Sequence, residues 1–325
     1  MRNDSDHFAG LEQAWELYLE GKLVAALASA EAALEVDAGS MEANHLLGNI
    51  KAAMGLPVEA LAHFEAALEV DGLFFDALLS SGDVLIQVGR AELALERLEV
   101  ALEQAAEKEG VADSLLLMMD ALFSLNRRED AARLLEQMPS GPFAPHIEFL
   151  IGRAAHHAGD YKRASVLLEG ALASGVDDAE IHYYVALSRE SLGDFRGAAF
   201  AFLECRERDI KAPTVPWGET TPQFERRLQD RIPQLPGALL AELEDTLIIV
   251  EPFPGVEMVA EGLDPRAPAM MDEVPLRDGK DTLRRLFVYH RNIDRFCSGP
   301  ENLDTDLDRI LAAEIEAFLK APRVP

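Results

Sequence analysis

The chain has 325 residues, about two domains' worth at ~150 residues each, with 49% hydrophobic and 27% charged residues, values that exclude a disordered polymer. Fifty-eight Asp and Glu against 30 Lys and Arg give a net charge of −28, a sign that repels phosphate backbones and anionic lipid, so nucleic acid and membrane surfaces are poor partners. The start, MRNDSDHFAG, has neither the basic nor the apolar region of a secretory signal, and Cys205 and Cys297 lie far apart with no CxxC spacing, so the expectation is a cytoplasmic protein with both thiols reduced.

From the N-terminus to Ala212 the chain reads as an array. Sliding it along itself until Gly21 falls on Gly55 also sets Gly55 on Gly89, aligns Ala26, Ala60 and Ala94 in a second column, and Ala33, Ala67 and Ala101 in a third, a period of about 34 residues. The register slips by three in the fourth unit, where Asn126 takes the glycine column and Ala131 the alanine column. It resumes with Gly159 and Gly193, Ala164 and Ala198, and Ala171 and Cys205. Six units result, from about His7 to Ala212. Each reads as two amphipathic helices, as in MEANHLLGNIKAAMG followed by LPVEALAHFEAALEVD. One such pair cannot bury its apolar face alone, so the pairs must stack.

The period, the small-residue columns and the helix-turn-helix rhythm resemble tetratricopeptide (TPR) repeats over residues 7–212. The resemblance implies a binding scaffold in which the first helix of each pair lines a groove. The groove candidates are Phe8, Leu11, Trp15 and Tyr18, then His45, Asn49 and Asp83, then His146, Phe149, Arg153, His156, Glu180 and Tyr183. Of these Trp15, Tyr18, Phe149 and Tyr183 are the aromatic anchors. The Lys and Asn set with which some members clamp a terminal carboxylate is represented only by Asn49. The partner expected is therefore a protein or peptide segment, apolar or mildly basic, drawn in by the acidic field. His146, His156, His157 and His182 crowd into two neighbouring units, but adjacent histidines diverge by about 100° on a helix, which disfavours a shared metal.

Thirteen of the 17 prolines lie from Pro213 onward, which places a domain boundary near Ala212 and a second domain at 213–325. There TPQFERRLQDRI and PGALLAELED read as short helices, TLIIVE as a buried strand, 252–282 as an irregular segment, RRLFVYHRNI as a second strand and LDTDLDRILAAEIEAFLK as a final helix. QLPGALLAELEDTLIIVEPFP, then LFVYHRNIDRFC, then that helix resemble the small bacterial zincin-like metallopeptidases, whose last helix carries HExxH. In that family two histidines hold zinc and the glutamate between them takes a proton from the metal-bound water.

Here Glu314 matches the glutamate, but Ala313 and Ala317 occupy the ligand positions, and no third ligand follows. The resemblance thus implies a metal-free pseudo-peptidase in which Glu314 is vestigial, with no cofactor. An active zinc enzyme would need other ligands, His290 and Glu316 first among them. No phosphate-binding loop, dinucleotide fingerprint or GxSxG is present. The fold class expected is mainly α: a TPR-type helical superhelix followed by a small α+β, zincin-like domain, acting as a non-enzymatic interaction scaffold.

Overall fold

The computed structural model describes residues 2–276, 281–297 and 299–320, with side chains from Gly10 onward. The chain divides into two compact units, Met1–Val176 and Asp177–Pro325.

The first unit is a run of antiparallel helix pairs: α1 (Arg2–Leu19) with α2 (Leu23–Val36), α3 (Met41–Ala53) with α4 (Pro57–Val70), and α5 (Phe75–Gln87) with α6 (Ala91–Gln104). Then come α7 (Lys108–Ser124) with α8 (Arg128–Glu136), and α9 (Pro145–Ala158) with α10 (Tyr161–Ala173). The glycine column is a backbone requirement. Gly21, Gly55, Gly89 and Gly159 have φ of 73, 75, 75 and 93°, the left-handed residue between the two helices, and Asn126 holds the same place at 57°. A side-chain amide is among the few groups tolerated there, which is why the fourth unit keeps its turn without glycine. The alanine columns are contact surfaces. Ala26, Ala60, Ala94, Ala131 and Ala164 have no exposed area, nor do Ala67, Ala101 and Ala171, so the paired helices approach with only a methyl between them.

A further small-residue column supports the same packing. Gly48, Gly82 and Gly152 lie opposite Phe64, Leu98 and Leu168 on the second helix of the same pair, and a Cβ added at them would fall 2.3, 2.6 and 2.8 Å from those side chains. The missing methyl makes room for the large residue of the second helix.

The second unit begins with a sixth pair, α11 (Ala179–Ser191) and α12 (Phe195–Lys211), and continues through α13 (Thr221–Arg231), α14 (Gly237–Glu242), β1 (Thr246–Glu251) and α15 (Val256–Ala260). It closes with β2 (Ala269–Pro275), β3 (Thr282–Tyr289), α16 (His290–Phe296) and α17 (Leu303–Lys320). The compact division thus falls one helix pair before the composition boundary at Ala212. A buried carboxylate ties this last pair to residues farther along the chain. Asp209 on α12, 2% exposed, accepts two 2.6 Å bonds from the Arg295 guanidinium and a 3.0 Å bond from Arg266 Nε. Burial pushes its carboxyl up, but the hydrogen bonds from Arg295 and Arg266 prevail and hold it below the usual range. Arg206 Nε also donates to the Pro254 carbonyl, and Arg291 Nη2 to that of Ala212. The proline-rich link is itself packed, with Trp217 against the core of the second unit.

The sheet has the order β1-β3-β2, β1 parallel and β2 antiparallel to β3. Its core joins Met271, Leu286 and Val288 to Leu303, Leu307, Leu311 and Ile315 of α17. Two sequence expectations need correction. Residues 252–282, read as irregular, contain α15 and the whole of β2. As an edge strand β2 needs only one paired side, and its charges are matched across the ladder, where Arg285 holds Asp272 through Nε at 2.8 Å and Nη2 at 2.5 Å. The strand read as RRLFVYHRNI stops at Tyr289. From His290 the chain is helical, with Asn292 and Ile293 fully buried.

Candidate binding groove

The first helices of successive pairs carry a continuous row of polar and aromatic side chains. The Trp15 ring meets Tyr18 edge-on with centroids 5.8 Å apart and His45 at 5.9 Å, and His45 meets Phe74 edge-on at 5.5 Å. His45 is 7% exposed. Its Nε2 lies 3.1 Å from the Asn49 amide nitrogen and 3.0 Å from Ser80 Oγ. Because the amide nitrogen only donates, Nε2 accepts and the proton of the neutral ring sits on Nδ1. Burial holds the imidazole below its ordinary pKa, against the pull of Asp76. His45 is therefore a neutral linker between the aromatic end of the row and α5.

Ser80 opens onto a cavity of about 450 Å³ between α5, α7 and α9. It is lined by Leu79, Ser80 and Asp83, by Asp113, Leu116, Leu117 and Asp120, and by Leu150 and Arg153. Helical spacing of three and four puts each set on one face. Burial raises the Asp120 carboxyl, Arg153 lowers it and Asp83 raises it further; burial also raises Asp113, with His146 opposing. Asp83 accepts a 3.0 Å bond from the Gln87 amide, and the nearest approach of Arg153 to Asp120 is 3.5 Å. The cavity therefore has apolar walls and three carboxylates facing one guanidinium.

Trp15, Tyr18, His45, Asn49, Asp83 and Arg153 stand along this row. Phe149 is half-buried on α9 beside Leu150, Leu11 is buried beneath Trp15, and Phe8 lies outside the residues whose side chains are described. Asp113 and Asp120 escaped the sequence reading because the register slips by three in that unit. Carried through the slip, Trp15, Asn49, Asp83, Asp120 and Arg153 hold one repeat position, and that column would have found Asp120.

Tyr183 belongs to the second unit, where its hydroxyl donates to Asp264 at 2.8 Å and Arg266 lies 4.4 Å over its ring. Both its ring face and its hydroxyl are engaged, which removes it from the anchors expected in the groove. Glu180 lines a second cavity, about 390 Å³, with Arg266, Arg295 and Phe296, but Glu180 pairs with Arg266 at 2.7 Å and Asp209 holds both arginines, so its charges cancel. The four histidines do not converge on one point: His146 is exposed, His156 packs on Tyr161 and meets its neighbour His157 edge-on at 5.8 Å, and is pushed down to about 4, first by burial and then by His157 and Arg128, while His182 Nε2 lies 2.8 Å from Asp177. Among the described residues no three His, Cys, Asp or Glu side chains converge as a metal site.

Glu314 has a definite place. Its Oε1 accepts the Met271 backbone N–H at 2.7 Å, closing the free side of β2 onto the final helix. Burial raises its carboxyl and that bond opposes the rise. His290 Nε2 lies 3.1 Å from Thr221 Oγ1, and Glu316 pairs with Lys320 at 2.9 Å, so neither stands with Glu314. Ala321 to Pro325 fall outside the described residues. No described helix is long and apolar enough to cross a membrane.

No protein-family model matches the chain, and neither does any curated protein. Among solved structures it is similar to PilF of Pseudomonas aeruginosa, at 18% identity and a TM-score of 0.54, over 64% of this chain and 93% of that one. It is similar also to PilW, a widely conserved type IV pilus biogenesis factor, at 16% identity and 0.56, over 63% and 94%. A chain of the APC/C hetero-tetramer Cut9–Hcn1 matches at 15% and 0.54, over 64% of this chain and 41% of its own. At such identities the likeness is one of fold, and it joins the repeat period and the left-handed turns in one conclusion: the helical array has the tetratricopeptide-repeat fold.

Proposed function

We propose that the protein is a non-enzymatic, cytoplasmic interaction scaffold whose helical groove binds a protein or peptide segment. The observation that carries this is the unbroken row from Trp15 through His45 and Asn49 to the cavity at Asp83, Asp120 and Arg153. Aromatic anchors beside a desolvated polar pocket are the usual composition of a binding hot spot. That PilW is a pilus biogenesis factor and Cut9–Hcn1 a hetero-tetramer agrees with an assembly role.

In this reading the C-terminal residues form a metal-free relative of the zincin-like peptidases. Ala313 and Ala317 offer no ligand, and the Glu314 carboxylate is bonded to the Met271 amide rather than left to act as a base. Two assays on the full chain test the proposal. Partners captured from cells by the wild type should be lost on Trp15→Ala or Asn49→Ala, a true anchor costing about 2 kcal/mol or thirtyfold in affinity. Capture indifferent to both variants, or chelator-sensitive peptide hydrolysis with one tightly held zinc per chain, refutes it.

A further inference from the structure

We propose that the cavity between α5, α7 and α9 receives one lysine or arginine side chain, presented by a protein segment with apolar residues on either side. This rests on the groove reading above and adds to it the chemistry of the occupant. The walls are Leu79, Leu116, Leu117 and Leu150, and the polar lining is Asp83, Asp113 and Asp120 with Arg153. A long basic side chain has the matching anatomy, an apolar stem ending in a cation.

The charge balance points the same way. Three carboxylates and one guanidinium line the cavity, and the 3.5 Å between Arg153 and Asp120 is looser than the 2.7–2.9 Å usual for charge-assisted bonds. The protein's own cation therefore leaves the pocket negative. At about 450 Å³ the space is far too small for a folded element and suits a single long side chain with its adjoining backbone. Asp83 and Asp120 occupy the same repeat position as Trp15 and Asn49, so a segment lying along the aromatic row reaches the acids in register. A protein of net charge −28 draws a basic segment toward it from a distance.

The test uses the full chain and an array of nonapeptide pools, each with its central residue fixed as lysine, arginine, norleucine or glutamate and all other positions randomised. Norleucine keeps the stem and lacks the cation. The lysine and arginine pools should be retained about tenfold or more above norleucine, the scale of one charge-assisted bond in a half-buried site. Asp113→Asn with Asp120→Asn should abolish that preference, bringing the lysine and arginine pools to the level of norleucine. Arg153→Met, which removes the competing cation, should strengthen the lysine pool. Equal retention of lysine and norleucine, a preference that survives the double change, or weaker lysine retention by Arg153→Met overturns the inference; the groove reading then stands if retention still falls with Trp15→Ala. If no pool is retained, or retention ignores Trp15→Ala, both fail.

Discussion

Neither carboxylate oxygen of Asp294 is hydrogen-bonded, although the residue is only 4% exposed. Burial pushes its pKa up to about 6 from 3.8, with Arg291 opposing and Glu219 adding to the rise. A folded-state pKa above the unfolded one means that the native protein binds the extra proton, so this group's contribution to stability is present below pH 4 and is lost as pH climbs through 6. A rise from 3.8 to about 6 corresponds to about 3 kcal/mol at most. Asp294→Asn should therefore raise stability at pH 7.5 by about 1–3 kcal/mol and leave it nearly unchanged at pH 4, as read by urea unfolding at the two pH values. An equal effect at both would remove ionisation as the cause. In the sequence this aspartate was one acid among 58, because burial depends on what packs around α16 and not on the residue itself. The placement of Trp15, His45, Asn49, Asp83 and Arg153 on the first helices of successive pairs follows from helix position alone, whereas that of Asp113 and Asp120 needed the register of the slipped unit.

Helix pairing depends on atoms that are absent. At Gly48 a methyl would sit 2.3 Å from Phe64, which is itself fully buried and has nowhere to retreat. Gly48→Ala gains up to about 1 kcal/mol in helix propensity but forces overpacking that typically costs about 1–3 kcal/mol. The net expectation is a loss of about 1–2 kcal/mol, and a variant as stable as the wild type in denaturant titration would show that Phe64 can turn aside. The repeats were readable because such constraints recur at the repeat period, here at Gly48, Gly82 and Gly152. The edge strand β2 was not, since MMDEVP has little β-propensity of its own and owes its conformation to β3 on one side and the Glu314 carboxylate on the other.

Composition changes at Ala212, but packing divides the chain at Val176, and the difference has a measurable outcome. A chain ending at Ala212 would keep α11 and α12 while taking Arg266 and Arg295 from Asp209 and Asp264 from Tyr183. Amide exchange should then show α11 and α12 losing protection in that fragment, with 1–212 no more stable than 1–176. Full protection of the pair would mean that the repeats sustain it unaided. The boundary could not be read from the sequence because Asp209 looks like any helix acid until two arginines from far along the chain, Arg266 and Arg295, converge on it. Duplicating or deleting a repeat ahead of Asp177 leaves every bond to Asp209 in place, so the length of the array, and with it the reach of its side-chain row, is open to change without disturbing α11, α12 and the sheet that follows.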